Sequence, residues 1–62
     1  MNKIRIYRIQ KSVTQKELAE KLGITQQMLS LYEKGESTPS VKMASKIAEE
    51  LKEDVNDIFF SS

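Results

Sequence analysis

Between Thr14 and Gly35 the chain marks where two helices start and stop, and so constrains how they meet. In TQKELAEKLG, Thr14 and Glu17 stand in the S/T-x-x-E spacing of a capping box. Leu18, Ala19 and Leu22 recur at helical spacing as a buried stripe. Gly23 follows, the residue that enters the left-handed conformation at least cost and so ends a helix. Thr25 then caps a second helix running from about Gln26 to Lys34, and Gly35 stops it. Over the twenty residues from Gln15 to Lys34, seven positions carry the residue types that a closely crossed helix pair requires. Leu18 and Leu22 face the second helix, and Ala19 is small enough to let the two axes approach. Gly23 makes the turn, Ile24 plugs the space beneath it, and Leu29 and Tyr32 form the inward side of the second helix. An ordinary helical hairpin shares this core spacing, but seven matches in one register favour the tighter unit.

The remaining apolar spacing is also helical, with no alternating run that reads as a strand. Asn2 is positioned to cap a first helix over about residues 3–11, in which Ile4, Tyr7 and Arg8 share a side while Ile6 and Ile9 point elsewhere. The segment ESTPS, with Pro39, is the clear loop. Ser40 caps a fourth helix from Val41 to about Lys52, with Val41, Ala44, Ile47, Ala48 and Leu51 on its apolar face. Asp54 caps a short fifth helix, Val55 to about Phe59, burying Val55, Ile58 and Phe59. The expected fold is all-α, a compact five-helix bundle, with residues 1–62 as one domain.

Composition narrows the chemistry. Cysteine and histidine are both absent, which removes disulfides, thiolate metal sites, the commonest metal ligand and the commonest general base. No nucleophile–base constellation and no glycine-rich phosphate loop is present, and a bundle of this size has little room for a cavity in the ~300 Å³ class. The chain therefore reads as a non-enzyme without a cofactor or metal. No apolar run reaches membrane-spanning length, and MNKIRIYRIQK lacks the apolar stretch of a signal peptide, so a cytoplasmic protein is expected. The net charge of +1 conceals an asymmetry. Residues 1–35 carry seven basic and three acidic side chains, whereas residues 36–62 carry three basic and six acidic. The basic half is the half containing the crossed helix pair, and such a split fits a face prepared for a polyanion.

Two helices joined by a short glycine-containing turn form the helix-turn-helix, whose second helix enters the DNA major groove. With Arg8, TQKELAEKLGIT (14–25), LYEKGESTPS (31–40), KIAEEL (46–51) and VNDIF (55–59), residues 1–59 resemble the Cro/CI-type repressor domain, also called the xenobiotic-response-element family of helix-turn-helix regulators. The resemblance implies a five-helix bundle of the phage-repressor DNA-binding type. It further implies binding to double-stranded operator DNA, usually as a homodimer, to repress or activate transcription, with repression the leading expectation, in a protein encoded by a bacterium or phage.

At 100° per residue, with Leu29 and Tyr32 inward, Gln27, Leu31 and Lys34 of the second motif helix point outward, and Gln26 and Ser30 flank them. Met28 flanks the core side of that helix and is expected to pack, with groove contact the lesser alternative. A glutamine amide can pair bidentately with adenine N6 and N7, and an apolar side chain can meet a thymine methyl. By resemblance to the family Gln26 and Gln27 are the candidate base contacts, with the DNA backbone the alternative for Gln26; Leu31 is a candidate for a thymine methyl, and Ser30 for either a base or a phosphate. The candidate phosphate contacts are Gln15, a position where the family uses glutamine against the backbone, with Thr25, Lys34, Gly35 and Ser37; Glu36 should turn away. Lys11 and Lys16 add positive field. The family often pairs an arginine with a glutamate at the positions of Arg8 and Glu33, which implies a structural ion pair here. Phe60, with Val55 or Ile58 beside it, is the candidate dimer surface, and Ile6 with Ile9 is a second apolar patch. No small-molecule ligand is expected. The competing readings are a protein-binding module such as an antitoxin with a toxin partner, and a purely structural bundle; duplex binding that weakens with salt separates both from a DNA reader.

Overall fold

The computed structural model describes residues 2–60, which form five helices and no strand: α1 (Ile4–Gln10), α2 (Gln15–Leu22), α3 (Gln26–Lys34), α4 (Val41–Leu51) and α5 (Val55–Phe59). One core joins all five. Ile4 of α1, Leu18, Ala19 and Leu22 of α2, Leu29 of α3, Ile47, Ala48 and Leu51 of α4, and Ile58 of α5 are buried together. Tyr7, Val13, Ile24, Tyr32, Met43, Val55 and Phe59 pack around them. Helix α2 packs on both α3 and α4, while α1 and α5 close the other side of α4.

The helix ends follow the local chemistry. Thr14 accepts from the Glu17 N–H at 3.0 Å, and the Glu17 carboxylate accepts from the Thr14 N–H at 3.1 Å, completing the capping box. The Thr14 backbone N–H first, and the Thr14 side chain after it, hold the Glu17 carboxyl below its ordinary pKa. Thr25 and Ser40 cap α3 and α4 by accepting from the N–H groups of Met28 and Met43, and Asp54 caps α5 through Asn56. Helices α2 and α3 end on left-handed glycines, Gly23 at φ 72° and Gly35 at φ 75°. In both endings the next residue reaches back to a carbonyl five positions earlier, Ile24 to Ala19 and Glu36 to Leu31. Helix α4 ends with the same pattern, Glu53 to Ala48, but the left-handed residue is Lys52, so this helix stops one residue short of the expected end.

The start of α1 is tied to two other helices. The N-cap of α1 is Lys3 rather than Asn2; Asn2, one residue earlier, accepts from the Ile4 N–H at 3.0 Å and donates its amide to the Tyr32 carbonyl at 2.7 Å, holding the start of α1 to the end of α3. The Lys3 N–H donates to the Ile58 carbonyl of α5.

Two side chains expected in the core lie outside it. Val41 is 86% exposed. It is the first residue of α4, where the Cα–Cβ bond tilts toward the helix start and carries the side chain past the edge of the core. Met28, expected to pack, is exposed on α3 one turn before Leu31.

Candidate nucleic-acid interface

Helix α3 has two chemically distinct sides. Leu29 is fully buried, Tyr32 packs against the core, and Glu33 is buried at 7% exposure. The opposite side carries exposed Gln26, Gln27, Met28 and Lys34, with half-buried Ser30 and Leu31. Of the four candidate base contacts, the two glutamines are therefore exposed at the start of the helix, and Ser30 and Leu31 are half-buried further along it. Met28 joins them as an apolar group that the helical-wheel reading had placed inward.

Glu33 anchors this helix. Its carboxylate accepts from Arg8 Nε at 2.8 Å and from Arg8 Nη2 at 3.2 Å, a two-point pairing across α1 and α3. The side chains of Arg8 and Glu33 keep only 11% and 4% of their surface. Arg8 Nη1 donates to the Val13 carbonyl at 3.0 Å, so the guanidinium also fixes the chain entering α2. A third donor reaches the carboxylate: Gln15 Nε2 lies 3.2 Å from Glu33 Oε1. Gln15 Oε1 in turn accepts from Gln26 Nε2 at 3.3 Å. Gln15 opens α2 and Gln26 opens α3, so the crossing of the two helices brings their first residues together. Sequence reasoning treated these glutamines separately; the signal that links them is the helix crossing itself, through small Ala19 and the Gly23 turn.

The candidate phosphate contacts divide under the geometry. Thr25 spends its hydroxyl oxygen on the Met28 N–H but retains its own proton to donate. The Lys34 ammonium is exposed at the far end of the helix. Gly35 has no donor left to offer: its N–H is bonded to the Tyr32 carbonyl, and the N–H groups of Glu36 and Ser37 both turn back to the Leu31 carbonyl. The left-handed ending of α3 thus consumes the amides of Gly35, Glu36 and Ser37, and of these three residues Ser37 keeps a side-chain donor. Lys11 is tied to Glu53 at 3.1 Å, which offsets much of the positive field expected from it.

The candidate dimer residues separate as well. Phe60 is 77% exposed, and Val55 is half-buried. Ile58 is not available to a partner, being 1% exposed within the core. Its inward direction follows from the short α5, whose one buried side must close the bundle over α1 and α4. Phe60 borders a surface groove of about 410 Å³ lined by Pro39, Val41, Ala44 and Phe59, larger than a bundle of this size was expected to hold. Ile6 and Ile9 are both half-exposed on α1, away from this groove. Among the described residues no group of acidic side chains is arranged to hold a metal ion, and no helix is long and apolar enough to cross a membrane.

Two capped helices crossed over a glycine turn, with the second held from behind and polar along its open side, define a helix-turn-helix protein. The helix-turn-helix family model, of Cro/CI type, matches residues 4–58, and the chain belongs to that family. It is 43% identical over 58 residues to an HTH-type transcriptional regulator of Methanocaldococcus jannaschii, covering 94% of this chain and 88% of the relative. It is 44% identical over 57 residues to another from Methanothermobacter thermautotrophicus, covering 90% and 83%. Identity to the HTH-type transcriptional regulator YgzD of Bacillus subtilis is 32% over 59 residues, covering 95% and 89%. DNA-binding regulation of transcription, not enzymatic catalysis, is the function that this membership carries. Relatives occur in archaea as well as a bacterium, so the similarity does not single out a bacterial or phage source.

Proposed function

We propose that this domain is a sequence-specific repressor, acting in the cytoplasm as a homodimer, that inserts α3 into the major groove of a two-fold operator. The observation that carries the reading is the division of α3: Leu29, Tyr32 and Glu33 hold it from behind, while Gln26 and Gln27 stand exposed at its N-terminal end. Recognition helices contact base edges chiefly through N-terminal residues. Gln26 and Gln27 then read bases, Ser30 and Leu31 touch the groove floor or a thymine methyl, and Met28 adds a second apolar contact. Gln15, Thr25, Lys34 and the Ser37 side chain position the helix on phosphates.

One such module makes few base contacts, and two-fold dimers gain affinity by occupying half-sites about one helical turn, ~34 Å, apart. Phe60 and Val41 beside the groove offer the apolar surface for a second copy, with Val55 at its margin. Selection of bound duplexes from a random pool tests the whole reading. It should return two-fold related half-sites whose binding falls steeply with added salt. Failure of the folded protein to bind any duplex at low salt would overturn it.

A further inference from the structure

A line of hydrogen bonds runs from the buried side of α3 to its open side, and its polarity is fixed from the buried end. The Arg8 guanidinium donates only, and the Glu33 carboxylate facing it accepts only. Gln15, 3.2 Å from Glu33 Oε1, must therefore turn its NH2 toward the carboxylate and its oxygen away. Gln26, 3.3 Å from that oxygen, must turn its own NH2 toward Gln15. Reversing Gln15 alone would set two oxygen acceptors 3.2 Å apart, and reversing Gln26 alone would set two oxygens 3.3 Å apart. Gln26 is left presenting Oε1 and its second N–H to the outside. An acceptor beside a donor matches the N6 and N7 edge of adenine, and mismatches the paired acceptors N7 and O6 of guanine.

We infer that Glu33 is a positioning residue for base readout: through Gln15 it sets the donor–acceptor order of the Gln26 amide and so biases this position toward adenine over guanine. The inference rests on the proposed placement of Gln26 against a base edge. Its distinctive content is that a buried carboxylate, out of reach of DNA, determines which base is preferred. Glu33→Gln tests it directly. The new amide keeps its oxygen on the shorter Arg8 bond, from Nε, which is 2.8 Å from Oε2 in the wild type; it gives up the 3.2 Å bond from Nη2 to Oε1 and turns an NH2 toward Gln15. Gln15 then reverses, Gln26 reverses with it, and Gln26 offers the groove two N–H donors, the pattern guanine accepts.

The experiment uses duplexes selected by the wild-type protein and single base-pair variants of them, with preference read as a ratio of Kd values within one preparation. That ratio cancels any unfolded fraction and any uniform loss of phosphate contacts. Gln26→Ala first identifies the position that Gln26 reads. At that position wild type should favour adenine over guanine by on the order of tenfold, and Glu33→Gln should shift the preference toward guanine. Gln15→Met removes the link while leaving Arg8 and Glu33 paired, and should bring the ratio toward one, with positions read by Gln27 unchanged. It also keeps the test decisive if Glu33→Gln fails to fold. If Gln26→Ala alters no position, the placement of Gln26 is overturned. If Gln26→Ala relaxes a position whose preference survives Gln15→Met, the placement stands and the relay from Glu33 is overturned.

Discussion

Removing either partner of the Arg8–Glu33 pair should destabilise the domain far more than removing both. Glu33→Met deprives Arg8 Nε and Nη2 of their acceptors, yet leaves the Nη1 bond to the Val13 carbonyl and a guanidinium with 11% of its surface in water. Its cost should fall near the lower end of the range for an orphaned buried charge, ~3 kcal/mol. Arg8→Met leaves a carboxylate at 4% exposure with only the Gln15 amide, and should cost nearer ~4–5 kcal/mol. Total stability for a domain of this length is about 3–9 kcal/mol, so each single variant lies close to unfolding. At ~4–8 °C per kcal/mol, Glu33→Met alone should lower Tm by roughly 12–24 °C. The double variant replaces two desolvated charges with two apolar side chains and should stay within ~1 kcal/mol of wild type. Urea unfolding followed by far-UV circular dichroism, with all variants in a stabilising osmolyte, gives the coupling energy. We expect several kcal/mol, little reduced by salt because the pair is desolvated. A coupling below ~0.5 kcal/mol would show that the pairing contributes nothing beyond two independent side chains.

The other predictions concern helix ends and pH. Lys52→Gly should raise stability by about 0.5–1 kcal/mol, since Lys52 holds φ 55° where the corresponding endings of α2 and α3 use glycine; a lower urea midpoint would contradict this. Gly23→Ala should lower stability by about 1 kcal/mol although nothing lies within 4 Å of an added Cβ, because the loss is conformational at φ +72°. Unchanged stability there would mean that the turn relaxes out of the left-handed region. The depressed Glu17 carboxyl contributes stability that is present above its ordinary range and is lost as pH falls through its lowered folded-state pKa. Glu17→Gln should therefore narrow the difference in Tm between neutral and strongly acidic buffers; an unchanged difference would exclude the capping carboxylate as a source of acid sensitivity.

The fold was legible because its helix boundaries rest on local chemistry. Thr14, Thr25, Ser40 and Asp54 cap where their spacing placed them, and Gly23 and Gly35 stop their helices. Misreadings arose where position along a helix overrides face. Val41 lies on the apolar side of α4 by angle but overhangs the core as its first residue, and Met28 flanks the buried direction of α3 yet faces outward. Ile58 and Phe60 are two residues apart near the chain end, and only packing against α1 and α4 distinguishes the buried one from the exposed one. The pairing of Arg8 with Glu33 was suggested by family resemblance, but its extension through Gln15 to Gln26 depends on the angle at which α2 and α3 cross. Likewise, the loss of Gly35 as a donor follows from the hydrogen bonds of the α3 ending, which composition does not specify.

The central claim is that α3 reads bases from its N-terminal end while its C-terminal end only positions it. The most direct measurement compares Gln27→Ala and Lys34→Ala with wild type on the selected operator, on its single base-pair variants and on unrelated duplex, across a range of salt. The account predicts that Gln27→Ala relaxes preference at one position per half-site, by on the order of tenfold. Lys34→Ala should weaken every duplex alike and reduce the salt slope by about one. Uniform weakening by Gln27→Ala, with every base preference intact, would contradict it.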